Sequence, residues 1–168
     1  LCAQLQRFEE AAGYFRRLLH ANKKSDDIRN ALCYCLAALG NQAHSNSNYL
    51  QAEACFEEAS QHQPSNAVYW YNLGNAQREL GKPQAALESF KLSIKFDPND
   101  ADAHNNLGNV QRELGKLDAA IASYERALQI NPNLHHALAH LVHQKQHICD
   151  WHGLSSTSLD SQITEIRR

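Results

Sequence analysis

No apolar run in this chain approaches the roughly 18 residues that a membrane span needs. Charge of one sign is also lacking. Sixteen Lys and Arg stand against 18 Asp and Glu, for a net charge of −2. That balance gives no general attraction to nucleic acid or to an acidic membrane. Cysteine is sparse and unpaired in pattern: Cys2, Cys33, Cys35, Cys55 and Cys149 make an odd, scattered set. Such spacing fits neither a disulfide framework nor a zinc ribbon. Each cysteine sits in a helical, mostly apolar context, where a reduced thiol serves as a small hydrophobe. A reducing, cytoplasmic setting is expected. There is no glycine-rich phosphate loop, no HExxH, no paired acid and base and no nucleophile–base arrangement. The chain is therefore expected to have no catalytic site and no cofactor. A secretory leader is not visible, because the first residues already carry helical periodicity. Leu1 falls inside a repeat, and a piece of a longer protein is expected.

What the chain does have is a repeat. Residues 67–100 align without gaps on residues 101–134, and 16 of the 34 positions are identical. Self-similarity at this period marks a stack of supersecondary units, each burying its apolar face on its neighbours. Every unit reads as two helices. In 101–134, Leu107, Gly108, Gln111 and Leu114 belong to the first, which stops at Gly115, a residue suited to the left-handed position after a helix. Leu117, Ala120, Tyr124, Ala127 and Leu128 form one apolar face of the second, and Pro132 ends it. Asp100 is placed to cap the first helix, and Pro83 opens a second helix in the sister repeat. Gly74 and Gly108 lie in mid-helix, where glycine costs up to about 1 kcal/mol against alanine. Close approach of the paired helix is the expected compensation.

Numbering each unit 1 to 34, the repeated positions are Gly74, Ala86, Phe90, Ser93 and Pro98, then Gly108, Ala120, Tyr124, Ala127 and Pro132. Gly40, Ala52, Phe56, Ala59 and Pro64 extend the register to 33–66. This pattern (small at 8, Ala at 20, aromatic at 24, small at 27, Pro at 32) resembles the tetratricopeptide repeat family. The resemblance implies an all-α fold: an α-solenoid, a right-handed superhelix of antiparallel helix–turn–helix units that binds protein or peptide. The expected division is a partial repeat at 1–24, carrying Phe8, Ala11, Phe15 and Leu18. A repeat at 25–66 with a first helix extended back to about Ser25 follows, then repeats 67–100 and 101–134. A terminal helix pair at 135–168 closes the chain, the whole forming one cooperative solenoid.

At 100° per residue, positions 4, 7, 8 and 11 of the first helix turn inward, and positions 2, 6, 9 and 13 lie opposite. The second set is Val68, Asn72, Asn75 and Glu79, then Asp102, Asn106, Asn109 and Glu113. The family resemblance implies that these rows line the inner groove. An asparagine amide offers two donors and an acceptor, so it can pair with both C=O and N–H of a bound backbone. The alternative is that the amides only solvate a helix face or bridge between helices. Some family members hold a C-terminal carboxylate with Lys and Arg in the groove, and Asn and Glu at 9 and 13 disfavour that subtype here. Arg78 and Arg112, at position 12, flank the groove, within reach of an acidic group or of nearby Glu.

Six of the ten histidines fall between 135 and 152, and His136, His140, His143 and His147 continue the groove row. A stripe at this spacing can ligate zinc or nickel. No carboxylate or cysteine completes a site on that face, so a groove or contact surface is the preferred reading and no metal is assigned. The segment His140 to Trp151, HLVHQKQHICDW, resembles the junction of O-linked N-acetylglucosamine transferases, where the last repeat helix runs into Cys-Asp-Trp. Cys149, Asp150 and Trp151 match it, and Asn72 and Asn106 match the asparagine ladder of that family's repeats. His140 stands at the next rung. The resemblance implies a substrate-recognition segment of a protein glycosyltransferase. A stand-alone scaffold is the second reading, and a metal-responsive adaptor the third. The expected partner is a protein or an extended peptide, not nucleic acid or membrane, with solenoid ends and the convex face as surfaces for self-association.

Overall fold

The computed structural model describes residues 2–21 and 25–147, with the backbone alone at 2–5 and 147. The Cys149-Asp150-Trp151 junction and the expected helix at 155–167 lie outside the described residues. Eight α-helices and no strand make up the described residues: α1 (Cys2–Ala21), α2 (Asp26–Ser45), α3 (Tyr49–His62), α4 (Ala67–Glu79), α5 (Pro83–Phe96), α6 (Ala101–Glu113), α7 (Leu117–Ile130) and α8 (His135–His147). The chain divides into two compact units, Leu1–Asn99 and Asp100–Arg168.

Helix starts are fixed by side chains that accept a backbone N–H of the first turn. Ser25 does so for Ile28, Asn48 for Gln51, Asn66 for Val68 and Asp100 for Ala103. Pro83 occupies the first turn of α5, where its missing N–H costs nothing. Helix stops follow one design. In α4 and α6 the chain leaves through Gly81 (φ 69) and Gly115 (φ 72). Gly81 N–H bonds to Arg78 and Lys82 N–H to Gln77, and Gly115 and Lys116 repeat this on Arg112 and Gln111. These paired bonds satisfy carbonyls that the last turn leaves open. α2 ends in the same motif, with Ser47 N–H on His44 and Asn48 N–H on Ala43, but the left-handed residue is Ser47 at φ 58.

In the first unit, each helix packs on the next in sequence, α1 on α2 through α4 on α5. Its core holds Leu32, Cys33, Leu36, Leu39, Ala59 and Tyr69 in one cluster, and Ala43, Ala52, Phe56, Leu73 and Ala76 in another. In the second unit, α6 packs on α7 and α7 on α8, burying Ala101, Ala127, Leu134 and Ala137 together, and Ala120, Tyr124 and Leu141 together. The mid-helix glycines are explained by these pairings. A Cβ on Gly40 would stand 2.8 Å from the Phe56 ring, on Gly74 2.9 Å from Phe90, and on Gly108 2.6 Å from Tyr124. A second tie recurs between positions 23 and 11: Ser89 Oγ donates to Gln77 and Ser123 Oγ to Gln111, both at 2.7 Å. Of the inward positions that the periodicity predicts, 7 and 8 are buried while 4 (Trp70, His104) and 11 (Gln77, Gln111) are half-buried, and position 10 (Ala76, Val110) is fully buried instead.

Among the described residues no helix is long and apolar enough to cross a membrane. Cys33, Cys35 and Cys55 are buried free thiols, and burial raises the pKa of each, Cys33 to about 11. Thiols held protonated in this way are poor nucleophiles.

Candidate functional site

In the first unit a polar cleft of about 260 Å³ is lined by Asn41, His44 and Ser45 from α2, Phe56 from α3, and Asn72 and Asn75 from α4. α4 brings Asn72 and Asn75 to it because positions 6 and 9, three residues apart, share one face of the helix. α2 brings Asn41, its own position 9, by the same rule. Asn41 was readable from the sequence, since the register set by Gly40 and Ala52 puts it level with Asn75. Glu79 is exposed and pairs with Arg78 at 2.9 Å. The flanking guanidinium is thus tied to its chain neighbour.

In the second unit the amides are spent differently. Asn109 is buried, 8% exposed, and its Oδ1 accepts the Tyr124 hydroxyl at 2.9 Å. The cause is a single oxygen. Phe90 stands at the equivalent position of the sister repeat and makes no such demand on Asn75. Burial pushes the Tyr124 phenol above its ordinary range, against the opposing pull of the Arg112 guanidinium. Arg112 Nε is itself buried with no hydrogen-bond partner among the described residues. Glu113 stays exposed.

Asn106 is half-buried, and its Oδ1 lies 3.4 Å from Asn105 Nδ2. Asn105 is 3% exposed, and its Oδ1 meets His140 Nδ1 at 3.2 Å. An amide at position 5 of the first helix has no signal in the periodicity, which does not foretell its bond to a residue 35 positions away. His140 also packs on the Tyr124 ring, with centroids 5.4 Å apart, and on His136 at 6.5 Å. His136 in turn stands 3.5 Å from Asp102. His143 is exposed, its Nδ1 3.3 Å from Gln144 Nε2. His136 and His140 of α8 thus lie against α6 and α7. Among the described residues no group of three or more His, Cys, Asp or Glu has the arrangement of a metal site.

Three models of this repeat match the chain, two described as tetratricopeptide repeat at residues 101–134 and 55–88 and one as TPR repeat at 74–114. Residues 55–134 of the chain are thus tetratricopeptide repeats. No curated protein sequence gives a significant match. Among solved structures, the first TPR of Spaghetti (RPAP3) bound to the HSP90 peptide SRMEEVD is similar over 70% of this chain and 93% of its own. Its TM-score is 0.68 and its identity 26%. A mutant of Thermobaculum terrenum O-GlcNAc transferase is 26% identical over 70% of this chain, with a TM-score of 0.65, and the match spans 22% of the transferase. MamA, at 22% identity and TM-score 0.70, covers 85% of this chain and shares the fold. The tetratricopeptide chain is thus an all-α solenoid-class protein-binding module, and such modules are non-catalytic.

Proposed function

We propose that the chain binds extended polypeptide on its asparagine-bearing first helices, as the substrate-recognition segment of an O-GlcNAc-transferase-like protein glycosyltransferase. The observation that carries the binding reading is the cleft lined by Asn41, Asn72 and Asn75. Amides there can pair with a backbone whatever its side chains. The ligand differs from the acidic HSP90 tail named for the RPAP3 domain. Positions 9 and 13 hold Asn41 and Ser45, Asn75 and Glu79, and Asn109 and Glu113, none of them a cation. The transferase reading is supported by the Cys149-Asp150-Trp151 junction and by the similarity to the Thermobaculum enzyme. The buried, protonated thiols fit a cytoplasmic setting.

Fluorescence anisotropy with labelled, extended, near-neutral peptides tests the binding surface. One lost amide pair is worth about 1 kcal/mol, roughly a fivefold loss in affinity. Asn72→Ala and Asn75→Ala together should therefore weaken binding by roughly tenfold or more. Unchanged affinity in the double variant would remove the amide reading. The reading frame beyond Arg168 tests the parent: a long α/β region with a nucleotide-sugar site supports the transferase, and a nearby stop overturns it. A stand-alone scaffold is the second reading, supported by the similarity to a tetratricopeptide domain solved with a bound peptide.

A further inference from the structure

Arg78 and Arg112 stand at the same position of successive repeats, each followed by a glutamate, yet they are held differently. Arg78 pairs with Glu79 at 2.9 Å. Arg112 forms no ion pair among the described residues. It is turned toward α7 instead, within hydrogen-bond reach of the Tyr124 phenol oxygen. Its Nε is buried with no partner among the described residues. In the sister repeat Phe90 takes the place of Tyr124 and has no oxygen for Arg78 to meet.

The Tyr124 hydroxyl in turn donates to Asn109 Oδ1 at 2.9 Å. Arg112, Tyr124 and Asn109 thus form a chain whose bonds all run in one direction. Both of its ends are donors: the remaining N–H groups of the guanidinium and the Nδ2 of Asn109. Around them, Glu113 is exposed on the next residue, the His140 ring lies 5.4 Å from the Tyr124 ring, and Asp102 stands 3.5 Å from His136. None of these carboxylates neutralises Arg112 by contact. A half-buried guanidinium without a counter-charge carries a desolvation cost that an incoming carboxylate offsets, and a planar fork of donors fits a carboxylate well.

Building on the polypeptide-binding reading, we infer that the second unit takes an acidic side chain of the bound polypeptide, its carboxylate accepting from Arg112 and from Asn109 Nδ2. The carboxylate belongs to a residue within the polypeptide and not to its C-terminus. Positions 9 and 13 hold no cation for a terminal carboxylate, and α8 gives a strand laid over Asn109 further surface to follow. The first unit has no such preference, because Glu79 already occupies Arg78.

The test is fluorescence anisotropy with labelled, C-terminally amidated peptides of Ser, Thr, Val and Pro. A single Glu is moved along the peptide, and each version is compared with its Gln twin. At one register Glu should bind roughly tenfold tighter than Gln, as a charge-assisted bond allows. Arg112→Gln should abolish that difference, and Arg112→Lys, which keeps a cation, should retain part of it. Arg126→Gln removes the same charge from the exposed side of α7 and should leave the difference whole. Thermal melts establish that each variant is folded. Twins that bind alike at every register overturn the inference and leave the polypeptide-binding reading standing. A difference that survives Arg112→Gln also overturns it. So does a difference lost equally in Arg112→Lys, which would make Arg112 a structural partner of Tyr124 only. Peptides that bind in neither form remove the underlying reading, and this inference with it.

Discussion

Tyr124 donates its hydroxyl proton to the side-chain Oδ1 of Asn109 at 2.9 Å, across the α6–α7 pair and fifteen residues apart. The bond spends an amide that the repeat register offers to a ligand. Tyr124→Phe should therefore destabilise by about 1 kcal/mol, the usual net value of such a bond, and more if the Asn109 oxygen stays buried without a partner. Urea denaturation reads this directly. A variant as stable as the parent would mean that the hydroxyl contributes nothing.

Glycines in two helices should respond to alanine with opposite signs. Gly108→Ala gains up to about 1 kcal/mol of helix propensity, but its Cβ would sit 2.6 Å from the Tyr124 ring. Overpacking of that kind costs about 1–3 kcal/mol, so net destabilisation is expected. Gly13→Ala in α1 meets nothing within 4 Å and should stabilise by up to about 1 kcal/mol. Equal thermal shifts for the two would refute the close-packing account of position 8.

Ser47 holds φ 58 at the stop of α2, where Gly81 and Gly115 stand in the other repeats. A left-handed residue with a Cβ carries about 1–2 kcal/mol of strain. Ser47→Gly relieves it, less the added freedom of glycine in the unfolded chain. The expected gain is about 0.5–1 kcal/mol, and a lowered melting temperature would count against it.

The buried thiols give the chain an alkaline limit. The folded pKa of Cys33 lies above the ordinary 9.0, at about 11, so the folded state favours the neutral thiol. Its stabilisation is complete below pH 9 and is lost as pH rises toward 11, with a slope of at most about 1.4 kcal/mol per pH unit. Tyr69 and Tyr124, also raised by burial, add to the loss. Urea midpoints between pH 8 and 10.5 should fall less steeply in Cys33→Ala. Parallel curves for the two proteins would exclude Cys33 from the effect.

The sequence by itself determined the repeat, its two helices and their ends. A 34-residue period, Asp100 before α6, Pro83 at the head of α5 and Gly115 after α6 are local signals that act through backbone geometry within a few residues. It also determined that Gly108 must approach something large. What it left open was how each amide is spent. Asn75 lines a cleft while Asn109 is held by Tyr124, although both stand at position 9. Asn105 is buried against His140, and neither residue signals the other along the chain. Periodicity fixes the direction in which a side chain leaves its helix. Whether its polar atoms meet solvent, a ligand or a partner depends on a residue of another helix, and only the tertiary packing brings that residue within 3 Å or so.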